Sequence, residues 1–230
     1  MDSSVFSQLK GGLIVSCQAL ADEPLHSAHI MAAMARAAVE GGAVAIRANS
    51  PPDIAAICAS VSVPVIGLYK EIIPGYPVYI TPTLQHAQAI SAAGAAIIAL
   101  DATFRSRPGE LDAAGMIGLV QAQTGKPVLA DVATLAEGIA AWKAGAAAVS
   151  TTLSGYTDDS PRQTGPDFDL LLRLVTELPI PVIAEGRIST PDQAARALEL
   201  GAFAVVVGSA ITRPQWITRQ FTARLSQGKA

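Results

Sequence analysis

The chain has 230 residues, half of them apolar and 15% charged, with a mean hydropathy of +0.39; a large core is available and intrinsic disorder is excluded. Sixteen basic against nineteen acidic residues give a net charge of −3 with no long Lys/Arg cluster, which argues against a nucleic-acid partner. The longest stretch without a charged side chain, 72–100, holds Pro74, Pro77, Pro82, Gln85, His86 and Gln88, so no membrane-spanning helix is expected.

The first strand-like run, 13–16, lies in a segment, 13–21, that reads like a short export signal. Ile14-Val15-Ser16-Cys17 resembles a lipoprotein box and Ala19-Leu20-Ala21 an A-x-A cleavage site. The residues before it carry one acid, Asp2, and one base, Lys10, and cleavage would remove the first strand. With only Cys17 and Cys58 available there is no disulfide framework, and a cytoplasmic protein is expected.

From there a short aliphatic run followed by an Ala-rich helical segment recurs eight times. The runs are 13–16, 43–46, 63–68, 96–99, 127–130, 146–150, 181–184 and 204–207. The helical segments between and after them are 27–40, 52–59, 83–93, 110–124, 135–144, 168–177, 190–200 and 215–225. The runs are apolar throughout rather than alternating, as expected of parallel strands buried on both faces. Gly41, Gly94, Gly125, Gly145 and Gly201 each follow a helix directly, the position where a left-handed turn leads back into a strand. Eight βα units without a linker predict an α/β fold, a single (β/α)8 TIM barrel occupying 1–230 as one domain, in preference to a doubly wound sheet.

In such a barrel the chemistry sits at the C-terminal ends of the strands. Gln18 follows strand 1 and could orient a polar substrate. Arg47 ends strand 2 and Asp131 ends strand 5; they could pair as scaffold or hold hydroxyl and amide groups. Lys70 ends strand 3, where desolvation could lower its pKa and make it a base or a Schiff-base nucleophile, unless it merely snorkels to water. Asp101 and Thr103 leave strand 4 and read more simply as a helix cap. Glu185 ends strand 7, either as a tuned proton carrier or as an ion-pair partner at the mouth. Gly186 after strand 7 and Gly208 after strand 8 stand where a backbone cradle for a phosphate belongs, with Arg213 as a charged partner, although both glycines could simply close turns. His26 and His29 open the first helix and His86 lies within the third, and no His/Asp/Cys set has metal-ligand spacing, so no metal is expected; the absence of G-x-G-x-x-G after strand 1 argues against a dinucleotide. Trp216, Ile217, Phe221 and Leu225 recur at helical spacing on the last helix and could face a homodimer interface or simply cover the barrel.

Taken in order, GLIVSCQA at 12–19, AIRAN at 45–49, PVIGLYK at 64–70, ITPT at 80–83, LDAT at 100–103, ADV at 130–132, SGYT at 154–157, IAEGR at 183–187 and VGSAITRP at 207–214 resemble the N-acetylmannosamine-6-phosphate 2-epimerase family of sialic acid catabolism. The resemblance implies a cofactor-independent isomerase acting on an amino-sugar phosphate, with Lys70 and Glu185 as catalytic residues. It implies phosphate binding around Gly186, Arg187, Gly208, Ser209 and Arg213, and sugar contacts from Gln18, Arg47 and Asp131. One departure is visible: other members often carry a serine two residues after the strand-5 aspartate, where this chain has Ala133. Two other readings stay open on the residues alone, a Schiff-base aldolase working through Lys70 and a non-catalytic sugar-phosphate-binding barrel.

Overall fold

The computed structural model describes residues 4–227. A four-residue helix α1 (Ser4–Ser7) is followed by β1 (Leu13–Cys17), α2 (Ala28–Glu40), β2 (Ala45–Asn49), α3 (Pro51–Cys58), β3 (Val65–Leu68), α4 (Leu84–Ala92), β4 (Ile97–Asp101) and α5 (Ala113–Thr124). The second half runs β5 (Val128–Asp131), α6 (Leu135–Lys143), β6 (Ala148–Ser150), α7 (Phe168–Glu177), β7 (Val182–Glu185), α8 (Pro191–Glu199), β8 (Ala204–Val207), α9 (Ser209–Thr212) and α10 (Pro214–Gln227). The eight strands are parallel, pair in sequence order, and close through β8 on β1, which makes the fold a TIM barrel.

The apolar runs hide an alternation that closure makes visible. Side chains on a strand alternate between faces with period two. Ile14, Ala45, Ile66, Ile97, Leu129, Ala148, Ile183 and Ala204 fill the barrel interior. Their neighbours Val15, Ile46, Val65, Ile98, Val128, Val149, Val182 and Val205 pack outward against the helices. Both faces are covered, so both parities are apolar. Phe6 and Leu9 belong to the interior cluster and plug the N-terminal end of the barrel. Gly67 on β3 has no side chain because a Cβ there would lie 2.6 Å from the Cβ of Ala95 and 3.0 Å from Ile54 Cδ1, where α3 approaches the sheet closely.

Several strands run further than their apolar patterns. Arg47 and Asn49 belong to β2, Asp101 to β4, Asp131 to β5 and Glu185 to β7, with Arg47 opposite Ile66, Asp101 opposite Asp131 and Glu185 opposite Val206 in the ladders. Backbone pairing continues where the side chains turn polar. Helices are trimmed instead: Asp112 caps α5 by accepting from the backbone N–H of Gly115, so that helix begins at Ala113 rather than near 110. Asp101, expected to cap a helix, does not; its carboxylate accepts from the backbone and hydroxyl of Thr103 and pairs with Arg105. The four-residue helices α1 and α9 are too short to show any periodicity in sequence.

Candidate active site

Stepping up each strand by two residues from the interior layer reaches the C-terminal mouth with the parity preserved. Ser16 and Gln18, Arg47, Lys70, Thr152, Glu185 and Gly208 follow from Ile14, Ala45, Ile66, Ala148, Ile183 and Ala204 in this way, and all seven line one cavity of about 570 Å³. The alternation that builds the core thus carries the polar groups to one place.

At the floor, Arg47 is 1% exposed and holds two carboxylates. Its Nη2 lies 2.5 Å from Asp131 Oδ2, and its Nη1 donates to Asp131 Oδ1 at 3.1 Å and reaches Glu185 Oε2 at 2.9 Å. Burial penalises the Arg47 cation, but Asp131 and Glu185 more than compensate, and its pKa lies above the ordinary arginine value. Burial raises the pKa of Glu185 above the usual carboxylate range, and the Asp131 charge adds to this, while Arg47, a hydrogen bond donated by Thr152 and Lys70 oppose it. Burial lowers the pKa of Lys70 to about 8, with Arg47 and Arg213 adding to the effect and Glu185 and Asp131 resisting it. Asp131 therefore forms the paired scaffold with Arg47, whereas Lys70 and Glu185 are shifted toward each other on the pH scale. Strands β3 and β7 stand four apart in a closed ring of eight, so these two groups face each other across the mouth.

Lys70 is fixed through its backbone. Its N–H donates to Asn49 Oδ1 at 2.8 Å, and the chain beyond it returns as a narrow hairpin in which Glu71 N–H donates to Tyr79 O and Thr81 N–H to Tyr69 O. His86 on α4 braces this hairpin, with Nε2 at 2.5 Å from Glu71 Oε2 and Nδ1 at 2.7 Å from Thr83 Oγ1. Tyr79 and the bracing role of His86 were not read from sequence, whereas Asn49 stands beside Arg47 among the polar residues that end the strands.

On the opposite rim, Gly186, Ser209, Ala210 and Arg213 line the same cavity as Gly208. Gly186 has a φ of +108°, open to glycine without strain, which lets the chain turn directly after Glu185. Arg213 Nη2 pairs with Glu23 Oε2 at 2.8 Å while the residue faces the cavity. Arg187 is differently engaged. Its Nε donates to Gly165 O at 2.7 Å and its Nη1 to Ser154 O at 2.8 Å, and the guanidinium lies 4.9 Å from the centre of the Tyr156 ring. This side chain ties down the loop between β6 and α7, so its service to an anion would come through the backbone. Gln18 donates through Nε2 to Ser16 Oγ, whereas its buried Oε1 has no partner and is free to accept from a ligand N–H or O–H. Asp101 and Thr103 do not line the cavity; they form a separate buried cluster with Arg105. Ala133 is buried in the interior cluster away from the cavity, and its N–H donates to Glu137, the residue that closes the capping box of α6. Among the described residues no cluster of three or more His, Cys, Asp or Glu side chains could hold a metal ion.

The sequence profile of a family described as "Putative N-acetylmannosamine-6-phosphate epimerase" matches residues 31–227. The chain belongs to this epimerase family. A relative of the same description from Caldanaerobacter subterraneus subsp. tengcongensis is 52% identical over 228 residues, covering 99% of this chain and 96% of its own. A second, from Thermosynechococcus vestitus, is 51% identical over 219 residues, covering 95% of each chain. Among solved structures, the N-acetylmannosamine-6-phosphate 2-epimerase of Clostridium perfringens superposes with a TM-score of 0.92 at 48% identity, covering 95% of each chain. The epimerase fold is therefore shared over nearly the whole length.

Proposed function

We infer that the chain is an N-acetylmannosamine-6-phosphate 2-epimerase, an isomerase that interconverts N-acetylmannosamine 6-phosphate and N-acetylglucosamine 6-phosphate. The observation that carries the residue assignment is the opposition of Lys70 and Glu185 across the mouth, each displaced from its ordinary pKa toward neutrality.

The reaction inverts C2, whose proton is acidic only when C1 is a free aldehyde, so the sugar reacts in its open-chain form. One group removes the C2 proton, the bonding electrons pass into a C1–C2 enediolate, and the other group delivers a proton to the opposite face. A single group returning its own proton to the same face would regenerate the substrate; two groups on opposite walls give inversion. In this reading Lys70 is a base and not a carbonyl nucleophile. Arg47 and Gln18 bind the sugar's polar groups, Asp131 holds Arg47 in place, and Arg47 supplies preorganised charge for the developing oxyanion. The phosphate sits at the rim formed by Gly186, Arg187, Gly208, Ser209 and Arg213, with backbone N–H groups and the Arg213 cation as its partners. No metal and no organic cofactor enters the scheme.

The same reading extends to setting. No helix among the described residues is long and apolar enough to cross a membrane. We place the enzyme in the cytoplasm, as one barrel domain in sialic acid catabolism. Phe221 and Leu225 on α10, 68% and 71% exposed, support a homodimer that would cover them.

The test is an NMR assay of the purified protein on N-acetylmannosamine 6-phosphate without added metal, repeated across pH. The active form carries one proton between Lys70 and Glu185, so activity is expected to be bell-shaped. Its alkaline limb should fall near pH 8, where Lys70 loses its proton, and its acid limb should lie above the usual carboxylate range. Absence of the epimer at every pH would overturn the assignment.

A further inference from the structure

Lys70 sits just beyond the regular strand. β3 ends at Leu68, and the chain continues into a hairpin over 70–80, closed by an antiparallel bridge between Lys70 and Ile80, whose returning arm brings Tyr79 and Ile80 to the cavity. Before Lys70 the backbone is held by the barrel itself. Tyr69 N–H donates to Thr81 Oγ1 at 3.1 Å, and that hydroxyl donates in turn to Ala99 O on β4 at 2.7 Å. Beyond Lys70 the support is thinner. Glu71 N–H pairs with Tyr79 O inside the hairpin, and the tip that follows is open to solvent, with Ile72 86% exposed. Among the described residues, Glu71 is the one member of 71–80 whose side chain hydrogen-bonds elsewhere in the protein, to His86 on α4.

The His86 end of this contact is fixed on every side. The ring is buried, stands edge-on to Tyr69 with centroids 4.8 Å apart, and engages both of its nitrogens. A carboxylate only accepts, so Nε2 donates to Glu71 and Nδ1 is left to the Thr83 hydroxyl. Thr83 is the N-cap residue of α4, yet its side chain makes no cap bond. A threonine there ordinarily accepts from a backbone N–H of the first turn; here its hydroxyl serves the imidazole instead. On the epimerase reading above, we propose that Glu71 and His86 form a positioning pair for the reaction: their contact clamps the hairpin to α4, fixes the backbone on the far side of Lys70, and so holds the Lys70 amine opposite Glu185. Neither residue lines the cavity, so each acts through Lys70 and not on the substrate. The phosphate rim is built from other loops, after β7 and β8, so the clamp bears on turnover more than on binding.

The experiment combines amide hydrogen exchange by NMR with steady-state kinetics on the full-length protein. In Glu71→Ala and in His86→Ala, the protection of the hairpin amides at positions 71 and 81 is expected to fall about five-fold, the effect of losing one hydrogen bond. Val132 N–H, which donates to Ser150 O in the barrel, keeps its protection. In the same variants kcat is expected to drop about five-fold with KM nearly unchanged. Glu71→Gln, whose amide oxygen still accepts from Nε2, stays close to the parent in both readouts. The double variant Glu71→Ala/His86→Ala loses no more than either single one, because the contact is lost only once. Unchanged protection at 71 and 81, an unchanged kcat, or losses that multiply in the double variant overturn the proposal. Protection lost equally at Val132 would make the pair general scaffold and overturn it as well. His86→Ala frees the Thr83 hydroxyl to cap α4, and Glu71 is half-buried at the surface, so both variants are expected to fold. The exchange measurement needs no turnover, so a failure of the epimerase reading shows separately, as a wild-type protein with a protected hairpin that forms no epimer.

Discussion

Replacing Lys70 with methionine is expected to lower kcat/KM by roughly 10²–10⁴-fold while leaving the protein at least as stable as the parent. The two effects have one physical origin. The site lowers the Lys70 pKa from 10.5 to about 8, chiefly by burial, which means that it disfavours the ammonium form. The sign follows from linkage: the unfolded chain binds the proton more tightly, so the cost to folding is full below about pH 8 and disappears above 10.5. Methionine keeps most of the volume and removes that cost at pH 7. It also removes the amine that faces Glu185 across the barrel. Urea unfolding and steady-state kinetics at the same pH check both halves. A variant with near-parental turnover would remove Lys70 from the chemistry, and one that is strongly destabilised would make it scaffold.

Arg47→Met is expected to do the reverse and strike stability first, by about 3–5 kcal/mol at pH 8. Arg47 is fully buried and is the cation shared by Asp131 and Glu185. Its removal leaves two carboxylates confined together without a counter-ion, a far costlier state than never having built the pair. Relief comes by protonation. Arg47 holds the already raised pKa of Glu185 down, so in the variant that pKa rises further, and the penalty shrinks as pH falls toward 5 and grows as pH rises. Adding Asp131→Leu is expected to recover a large part of the loss, because one of the orphaned charges is gone. Urea midpoints at pH 5 and pH 8 for the single and double variants decide the matter. A penalty independent of pH would mean that packing, and not charge, is what Arg47 supplies.

How much of this was legible in sequence depends on what each residue advertises. The eight aliphatic runs mark the barrel because strands covered on both faces leave no polar parity to confuse the pattern. Lys70, Asp131 and Glu185 stand out because a charge ends an apolar run, and Arg47 for the same reason. That very signal misplaces the strand ends, since the ladder continues through Asp101, Asp131 and Glu185 while the side chains change character. Thr152 falls in the polar stretch 151–157 that ends strand 6 and keeps the inward parity of Ala148 and Ser150, but among Thr151, Thr152 and Ser154 nothing in the sequence marks it from its neighbours. His86 lies on a helix, and only the folded hairpin after Lys70 brings Glu71 to it. The engagement of Arg187 with Gly165 and Ser154 depends on the path of a loop, which local pattern does not encode.

The measurement that bears most directly on the account is the fate of the C2 hydrogen when the wild-type enzyme turns over N-acetylmannosamine 6-phosphate in heavy water. Two groups on opposite walls predict that every molecule of epimer carries deuterium at C2 from the first turnover, while unreacted substrate stays protiated early in the reaction. Epimer that retains its original hydrogen at C2 would contradict the account, because inversion would then have occurred without proton exchange through Lys70 and Glu185.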